Sequence, residues 1–109
     1  MIVYYIDGEK FTTENINNIP LYEISSPDEN TPALEYTISG NKLWCEKEKF
    51  WHRLTGPASI HRTGCDYWIE GKYYETVKEW INNHPTPDLY FHKIGIFTET
   101  DKVLWYLQN

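Results

Sequence analysis

The sequence lacks the features of a secreted, membrane-spanning or disulfide-bonded protein. Met1-Ile2-Val3 runs directly into a Tyr-rich strand pattern, with no positively charged leader and apolar segment of a signal peptide. No apolar run approaches the roughly 18 residues of a transmembrane helix, and no Asn-x-Ser/Thr glycosylation site occurs. There are 2 cysteines, Cys45 and Cys65, which in a reducing compartment remain free. We therefore expect a cytoplasmic protein with no membrane partner.

Motifs that carry catalysis or hold cofactors are also missing. Neither a G-x-G-x-x-G turn nor a phosphate-binding loop is present, and no cysteine or histidine pair has the Cys-x-x-Cys or His-x₃-His spacing of a zinc site. We expect no catalytic residue, no metal and no cofactor. Two alternatives remain open: a Cys65–His61 nucleophile pair, and a zinc site drawn from the available cysteines and histidines, which are Cys45, His52, His61, Cys65, His84 and His92.

The chain has few positive charges, with a formal net charge of −6. Such a chain repels the phosphates of nucleic acid unless its cations cluster. The one basic group is interleaved with acids, in the run Glu46, Lys47, Glu48, Lys49, Phe50, Trp51, His52 and Arg53. We therefore expect no direct nucleic-acid binding, and an acidic surface that favours a basic protein partner.

Aromatic residues are abundant, at 17% of the chain, and they mark an internal repeat. The pattern aromatic-x-Ile-x-Gly occurs at residues 4–8, 36–40 and 67–71. Alternation of period two predicts a strand in each copy, with the aromatic residue and the Ile on a buried face. The Gly that follows predicts a turn with positive φ.

Helix signals are concentrated in the last third of the chain. Val77, Trp80 and Ile81 form an apolar stripe after Thr76, a predicted N-cap, so we expect a helix at 75–83. A second helix is predicted to begin at Thr98, and Gly95 is predicted to end a short helix before it. In the helix that begins at Thr98, the apolar residues Val103, Leu104 and Leu107 share one face. The alternative is a β-hairpin of residues 89–97 and 102–108.

These signals together predict the α+β class in a single domain, residues 1–109. We expect an antiparallel β-meander of five or six strands built from the aromatic-x-Ile-x-Gly hairpins in residues 1–85, and a helical part in residues 86–109. Short helices should pack on one face of the sheet. The edge strands of such a sheet could also pair to form a homodimer.

A family resemblance is carried by His52-Arg53-Leu54-Thr55-Gly56-Pro57-Ala58, followed by Gly64 and then Tyr67-Trp68-Ile69-Glu70-Gly71. Residues 44–80 resemble the MORN-like repeat of phages and large DNA viruses, which is related to the repeats of YwqK-type antitoxin proteins. Residues 4–20 resemble a degenerate copy. The resemblance implies a phage-encoded binding module, with His52 and Arg53 bracing the Gly-Pro turn. By analogy it suggests an inhibitor of a host defence system, of the anti-CRISPR kind, acting in the host cytoplasm on a nucleic-acid-handling protein.

The predicted function is a non-catalytic protein–protein interaction. Charge and aromatic residues coincide on one stretch, and an acidic turn-rich loop at 25–33 is the second predicted contact segment. The predicted contact residues are Glu46, Glu48, Phe50, Trp51, His52 and Arg53 in the stretch and Asp28 and Glu29 in the loop. Trp51 is the Trp expected to be exposed; the other four are expected in or near the core. The alternatives are a small-molecule or nucleotide sponge, in which Arg53 and aromatic side chains stack on a base, and lastly a small hydrolase.

Overall fold

The computed structural model describes residues 1–46 and 51–108. The chain divides into two compact units, Met1–Tyr73 and Tyr74–Asn109. The first unit is mainly β-sheet and the second is mainly helical.

Seven strands in the described residues form one sheet in the order β2-β1-β3-β4-β5-β6-β7, and the pairs from β2 to β6 are antiparallel. The predicted α+β class is confirmed, but the sheet has seven strands in the described residues where five or six were predicted. The meander also begins only at β3, since β1 lies between β2 and β3. The strands are β1 (Ile2–Ile6), β2 (Glu9–Thr13), β3 (Leu34–Tyr36), β4 (Lys42–Leu43), β5 (Ser59–His61), β6 (Gly64–Ile69) and β7 (Lys72–Tyr74).

The register gathers the apolar side chains of the first unit on one face of the sheet, called here the core face. Tyr4 of β1 pairs with Leu34 of β3, and Leu34 pairs with Leu43 of β4. Paired residues point to the same face, and Tyr4 also stacks on Phe11 of β2 at 5.4 Å between ring centroids. Burial of one such side chain contributes about 1.5–3 kcal/mol. The connections complete this core with Ile19, Ile24, Ala33 and Cys45.

Two turns of the sheet require backbone conformations that favour glycine. The turn between β1 and β2 has φ of 50° at Asp7 and 82° at Gly8, and the turn between β6 and β7 has φ of 50° at Glu70 and 81° at Gly71. Positive φ at both central residues is the geometry of a type I′ turn, whose twist matches that of the flanking strands. These two turns therefore set the registers of the hairpins that they close.

Replacing Gly8 with alanine is expected to lower the free energy of unfolding by about 1 kcal/mol. A Cβ atom at this position would meet nothing within 4 Å, so the loss comes from backbone strain alone. Gly8→Asn is the matched control, because asparagine tolerates the left-handed region. Urea denaturation should show a smaller loss for Gly8→Asn than for Gly8→Ala; equal losses would contradict the strain argument.

The segment 36–40 does not have the predicted strand geometry. Strand β3 ends at Tyr36, and the following three residues form a turn. The side chain of Ile38 is 91% exposed, so the prediction that this Ile is buried is wrong. The reason is that the chain turns back immediately: Gly40 donates its N–H to the Tyr36 carbonyl at 2.8 Å. The three Tyr-led segments are therefore not equivalent, and their common origin in one repeat stays a prediction.

The first helix of the second unit confirms the prediction at 75–83. Helix α1 spans Val77–Asn82, and the Thr76 hydroxyl accepts a hydrogen bond from the Glu79 N–H at 3.1 Å. This cap satisfies one of the backbone donors that a helix start leaves open. Trp80 is fully buried, and its ring packs edge-on against the rings of His84 and Tyr90.

The C-terminal residues are helical, so the alternative of a hairpin there is wrong. Helix α2 spans Glu99–Gln108, and Thr98 and Asp101 exchange two hydrogen bonds at its start. A short 3₁₀ helix, Phe91–Ile94, ends at Gly95 with φ of 78°, as predicted. Only Trp105 of α2 is buried, whereas its other large apolar side chains, Val103, Leu104, Tyr106 and Leu107, are exposed. No helix in the described residues is long and apolar enough to cross a membrane.

Candidate functional site

Arg53 joins the two segments in which contact residues are predicted. Its Nε atom donates to the backbone carbonyl of Glu29 in the acidic loop at 2.9 Å, and its Nη1 atom donates to the carbonyl of Pro57 at 3.2 Å. The guanidinium group lies 3.8 Å from the centroid of the Trp44 ring, where a cation is attracted to the ring face. The guanidinium group is therefore held by two backbone carbonyls and one aromatic ring of the same chain.

Glu29 also accepts hydrogen bonds from the two residues that follow Arg53, and these fix the acidic loop further. Its carboxylate accepts a hydrogen bond from the Leu54 N–H at 3.0 Å, and its carbonyl also accepts one from the Thr55 hydroxyl at 3.2 Å. A loop of this composition would otherwise be expected to move freely. The acidic loop is instead held against residues 53–55 by hydrogen bonds at one residue.

Asp28 organises the tip of the same loop. Its Oδ1 atom accepts from the N–H groups of Asn30 and Thr31, at 2.8 and 2.9 Å, and its Oδ2 atom accepts from the Thr31 hydroxyl at 3.1 Å. These hydrogen bonds, led by the one from Asn30, hold the pKa of the Asp28 carboxyl below its ordinary value. The side chain is exposed, so it presents a negative charge to the solvent from a fixed position.

His52 is buried and links the turn between β6 and β7 to Glu46, which follows β4. Its Nδ1 atom accepts a hydrogen bond from the Glu70 N–H at 2.9 Å, and its Nε2 atom lies 3.3 Å from the Glu46 carboxylate. Accepting at Nδ1 places the proton of the neutral ring on Nε2, which then faces Glu46. His52 therefore orients the exposed Glu46 carboxylate.

These contacts surround a cleft of about 140 Å³, called here the acidic cleft. Three carboxylates contribute to its lining. Trp44 belongs to this lining, but its indole N–H is buried and has no hydrogen-bond partner among the described residues. The cleft thus offers negative charge. Its principal lining residues are Asp28, Glu29, Trp44, Cys45, Glu46 and His52.

The remaining predicted contact residues divide into two groups. Glu48 and Phe50 lie outside the described residues. Trp51 is half-buried rather than exposed, because its ring stacks on that of Trp68 at 5.6 Å between centroids. Trp68 in turn packs against Tyr73 at 5.3 Å. The structure therefore brings Asp28, Glu29, Glu46, His52 and Arg53 together around the acidic cleft, and it places Trp51 in a row of aromatic rings.

The alternative nucleophile pair is separated by the pleat of the sheet. His61 pairs with Gly64 across β5 and β6, whereas Cys65 pairs with Ile60, so the side chains of His61 and Cys65 project to opposite faces. The ring nitrogens of His61 lie 3.0 Å from the Thr63 hydroxyl and 3.2 Å from the Asp66 carboxylate. Both thiols are free. Among residues 1–46 and 51–108, no group of three or more His, Cys, Asp or Glu residues is arranged to hold a metal ion.

A second cleft, of about 260 Å³, lies on the core face of the sheet and was not predicted from the sequence. It is called here the aromatic cleft, and its walls include Tyr36 of β3, Trp51 and His61 of β5. The sequence pattern does indicate that Tyr36 and His61 each lie in a strand. Their position on one face follows only from the pairing of β3, β4 and β5. The other residues of interest in its lining are Asn41, Leu43 and Ser59.

Comparison of the chain with protein-family models, with curated proteins and with solved structures gave no match.

Proposed function

We propose that this chain is a non-catalytic protein-binding module that docks a basic segment of a partner protein in the acidic cleft. The observation that carries the proposal is the set of hydrogen bonds between Glu29 and residues 53–55, which fixes an acidic loop beside Glu46. A surface that is ordered before binding loses less entropy when a partner docks.

The lining of the cleft supports a lysine or arginine side chain as the group bound. The carboxylates of Asp28, Glu29 and Glu46 attract a cation, and about 140 Å³ accommodates the end of one long basic side chain. The net charge of −6 adds a long-range attraction that accelerates association with a basic protein.

The resemblance to phage repeats favours one class of partner, a host protein that handles nucleic acid. Proteins that handle nucleic acid present basic surfaces to phosphates, and an acidic module that occupies such a surface would block it. A host-defence complex that binds nucleic acid is the partner that we propose. If so, single-stranded DNA added to the complex should compete with the module, since both would occupy the same basic surface.

The test uses Asp28→Asn combined with Glu46→Gln, which removes two charges while preserving size. Partners are captured by affinity purification with mass spectrometry, and the affinity for the purified partner is then measured at low and high salt. We expect the double variant to bind at least about tenfold more weakly, and the wild-type affinity to fall as salt rises.

The matched control is Glu9→Gln combined with Glu23→Gln, which removes the same charge from exposed positions elsewhere in the first unit. This control should bind within about twofold of the wild type. Equal losses in both double variants would show that only net charge matters. Unchanged binding in the Asp28, Glu46 variant would remove the acidic cleft from the function.

A further inference from the structure

The aromatic cleft is built on a rigid part of the first unit. Tyr36, Leu43, Ser59 and His61 lie on the core face, because Leu43 pairs with both Leu34 and Ser59 and side chains two residues apart share a face. Three adjacent strands therefore form the floor of the cleft. A floor made of paired strands keeps its shape when a ligand binds.

Trp51 forms a wall that is fixed before any ligand arrives. Its carbonyl accepts a hydrogen bond from the Gly71 N–H at 2.8 Å, and its ring stacks on Trp68 with an interplanar angle of 26°. Tyr36 and His61 add further flat rings to the same lining. A lining with several flat rings favours a flat ligand, because stacking of a ring on an aromatic side chain contributes about 1–3 kcal/mol.

Asn41 contributes a hydrogen-bond acceptor without a described partner to the lining of the cleft. Its backbone is held by the turn after β3, where its carbonyl accepts from the Tyr36 N–H at 2.9 Å. Its side-chain Oδ1 atom is buried and has no hydrogen-bond partner among the residues that the structure describes. An unsatisfied buried acceptor is unfavourable. A ligand that donates an N–H group to this atom, once the side-chain amide turns toward the cleft, would remove that cost.

The charges around the cleft favour an uncharged ligand. Lys42 and Ile60 contribute to the lining, but Lys42 pairs with Glu35 and Ile60, so their side chains project from the face opposite to that of Leu43. Both ring nitrogens of His61 are already within hydrogen-bond distance of Thr63 and Asp66. The described lining thus presents no cation dedicated to a phosphate group.

We propose that the aromatic cleft binds one uncharged planar heteroaromatic ring that donates an N–H group to Asn41 Oδ1. The volume of about 260 Å³ admits a ring system of the size of a nucleobase or an indole. This site is separate from the acidic cleft and does not depend on the protein-binding role. It also differs from base stacking by Arg53, whose guanidinium group lies over Trp44.

The experiment compares indole with 1-methylindole, which has the same ring but no N–H donor. Each is titrated into ¹⁵N-labelled protein while the amide resonances of Tyr36, Asn41 and His61 are followed. We expect saturable shifts at these residues, and binding of indole at least about fivefold tighter than that of 1-methylindole. Adenosine should bind at least as tightly as adenosine monophosphate, because the described part of the lining holds no group for the phosphate.

Two variants assign the effect to named side chains. Asn41→Leu should bring the affinity ratio of indole to 1-methylindole close to one, while Trp51→Ala should weaken indole binding at least about tenfold. Tyr22→Ala is the control, because Tyr22 is an aromatic residue that is 80% exposed outside the cleft. Unperturbed amide resonances in β1 and β2 report that each variant is folded.

Three results would overturn the proposal. The first is the absence of saturable shifts at the cleft with millimolar indole. The second is equal affinity of the wild type for indole and 1-methylindole, which would mean that Asn41 accepts no hydrogen bond from the ligand. The third is tighter binding of adenosine monophosphate than of adenosine. None of these results bears on the variants of Asp28 and Glu46, so failure here and failure of the protein-binding proposal are distinguishable.

Discussion

Replacing Arg53 with alanine is expected to lower the free energy of unfolding of the first unit by about 3 kcal/mol, from the loss of charged hydrogen bonds and of the cation–π contact. The guanidinium group donates to the carbonyls of Glu29 and Pro57 and covers the ring of Trp44. Because the same bonds hold the acidic loop, the variant should also lose binding of a basic partner. Chemical denaturation measures the first effect, and the affinity for the captured partner measures the second.

The controls for this prediction separate charge from geometry. Arg62→Ala removes one positive charge from an exposed position and should change stability by no more than about 0.5 kcal/mol. Arg53→Lys keeps the charge but cannot reproduce the planar set of donors, so it should recover only part of the loss. If Arg53→Lys were as stable as the wild type, the hydrogen-bond geometry at Glu29 and Pro57 would not matter and this account of the loop would fail.

The two cysteines should differ in reactivity by at least about a hundredfold at pH 8. Cys45 is buried, and its thiol donates to the Ile24 carbonyl at 3.5 Å. Burial, with a smaller contribution from the charge of Glu46, raises the pKa of the Cys45 thiol to about 11. At pH 8 about one thiol in a thousand is then the reactive thiolate. Cys65 is exposed, so Ellman's reagent should modify it first.

Single variants assign the two kinetic phases. Cys65→Ser should remove the fast phase, and Cys45→Ser should leave the fast phase unchanged. The slow phase should accelerate about tenfold per pH unit up to pH 11, because the thiolate fraction grows by that factor below the pKa. In denaturant both thiols should react at similar rates. Two equally fast thiols in the native protein would contradict the burial of Cys45. The expected result also means that the thiol in the acidic cleft is not a nucleophile at neutral pH.

Local signals in the sequence predicted the helical part well. The Thr76–Glu79 and Thr98–Asp101 caps and the stop at Gly95 each depend on residues within one turn of each other. Such contacts form wherever the backbone is helical, whatever the rest of the chain does. A capping residue can therefore be read directly from its neighbours.

The two clefts depend on contacts between residues that are distant in sequence. Arg53 was predicted as a contact residue because charged and aromatic residues surround it in the sequence. Its main partner in the structure, Glu29, lies 24 residues away in the acidic loop. Tyr36 and His61 share a cleft only because β4 pairs with both of their strands. Strand patterns give the period of a strand but not its partner. The sequence pattern therefore could not predict which strands pair, or which residues line each cleft.

The strand order has a consequence for how the chain can fold as it is synthesised. Apart from the pairing of β1 with β3, neighbouring strands in the sheet are also consecutive in sequence. The pairing of β1 with β3 must wait for the connection of residues 14–33, and that of β4 with β5 for residues 44–58. Each later strand can then add to an edge that already exists. Contacts between nearby segments form quickly because little loop entropy is lost. The sheet can therefore assemble from the amino terminus onwards while the rest of the chain is still within the ribosome.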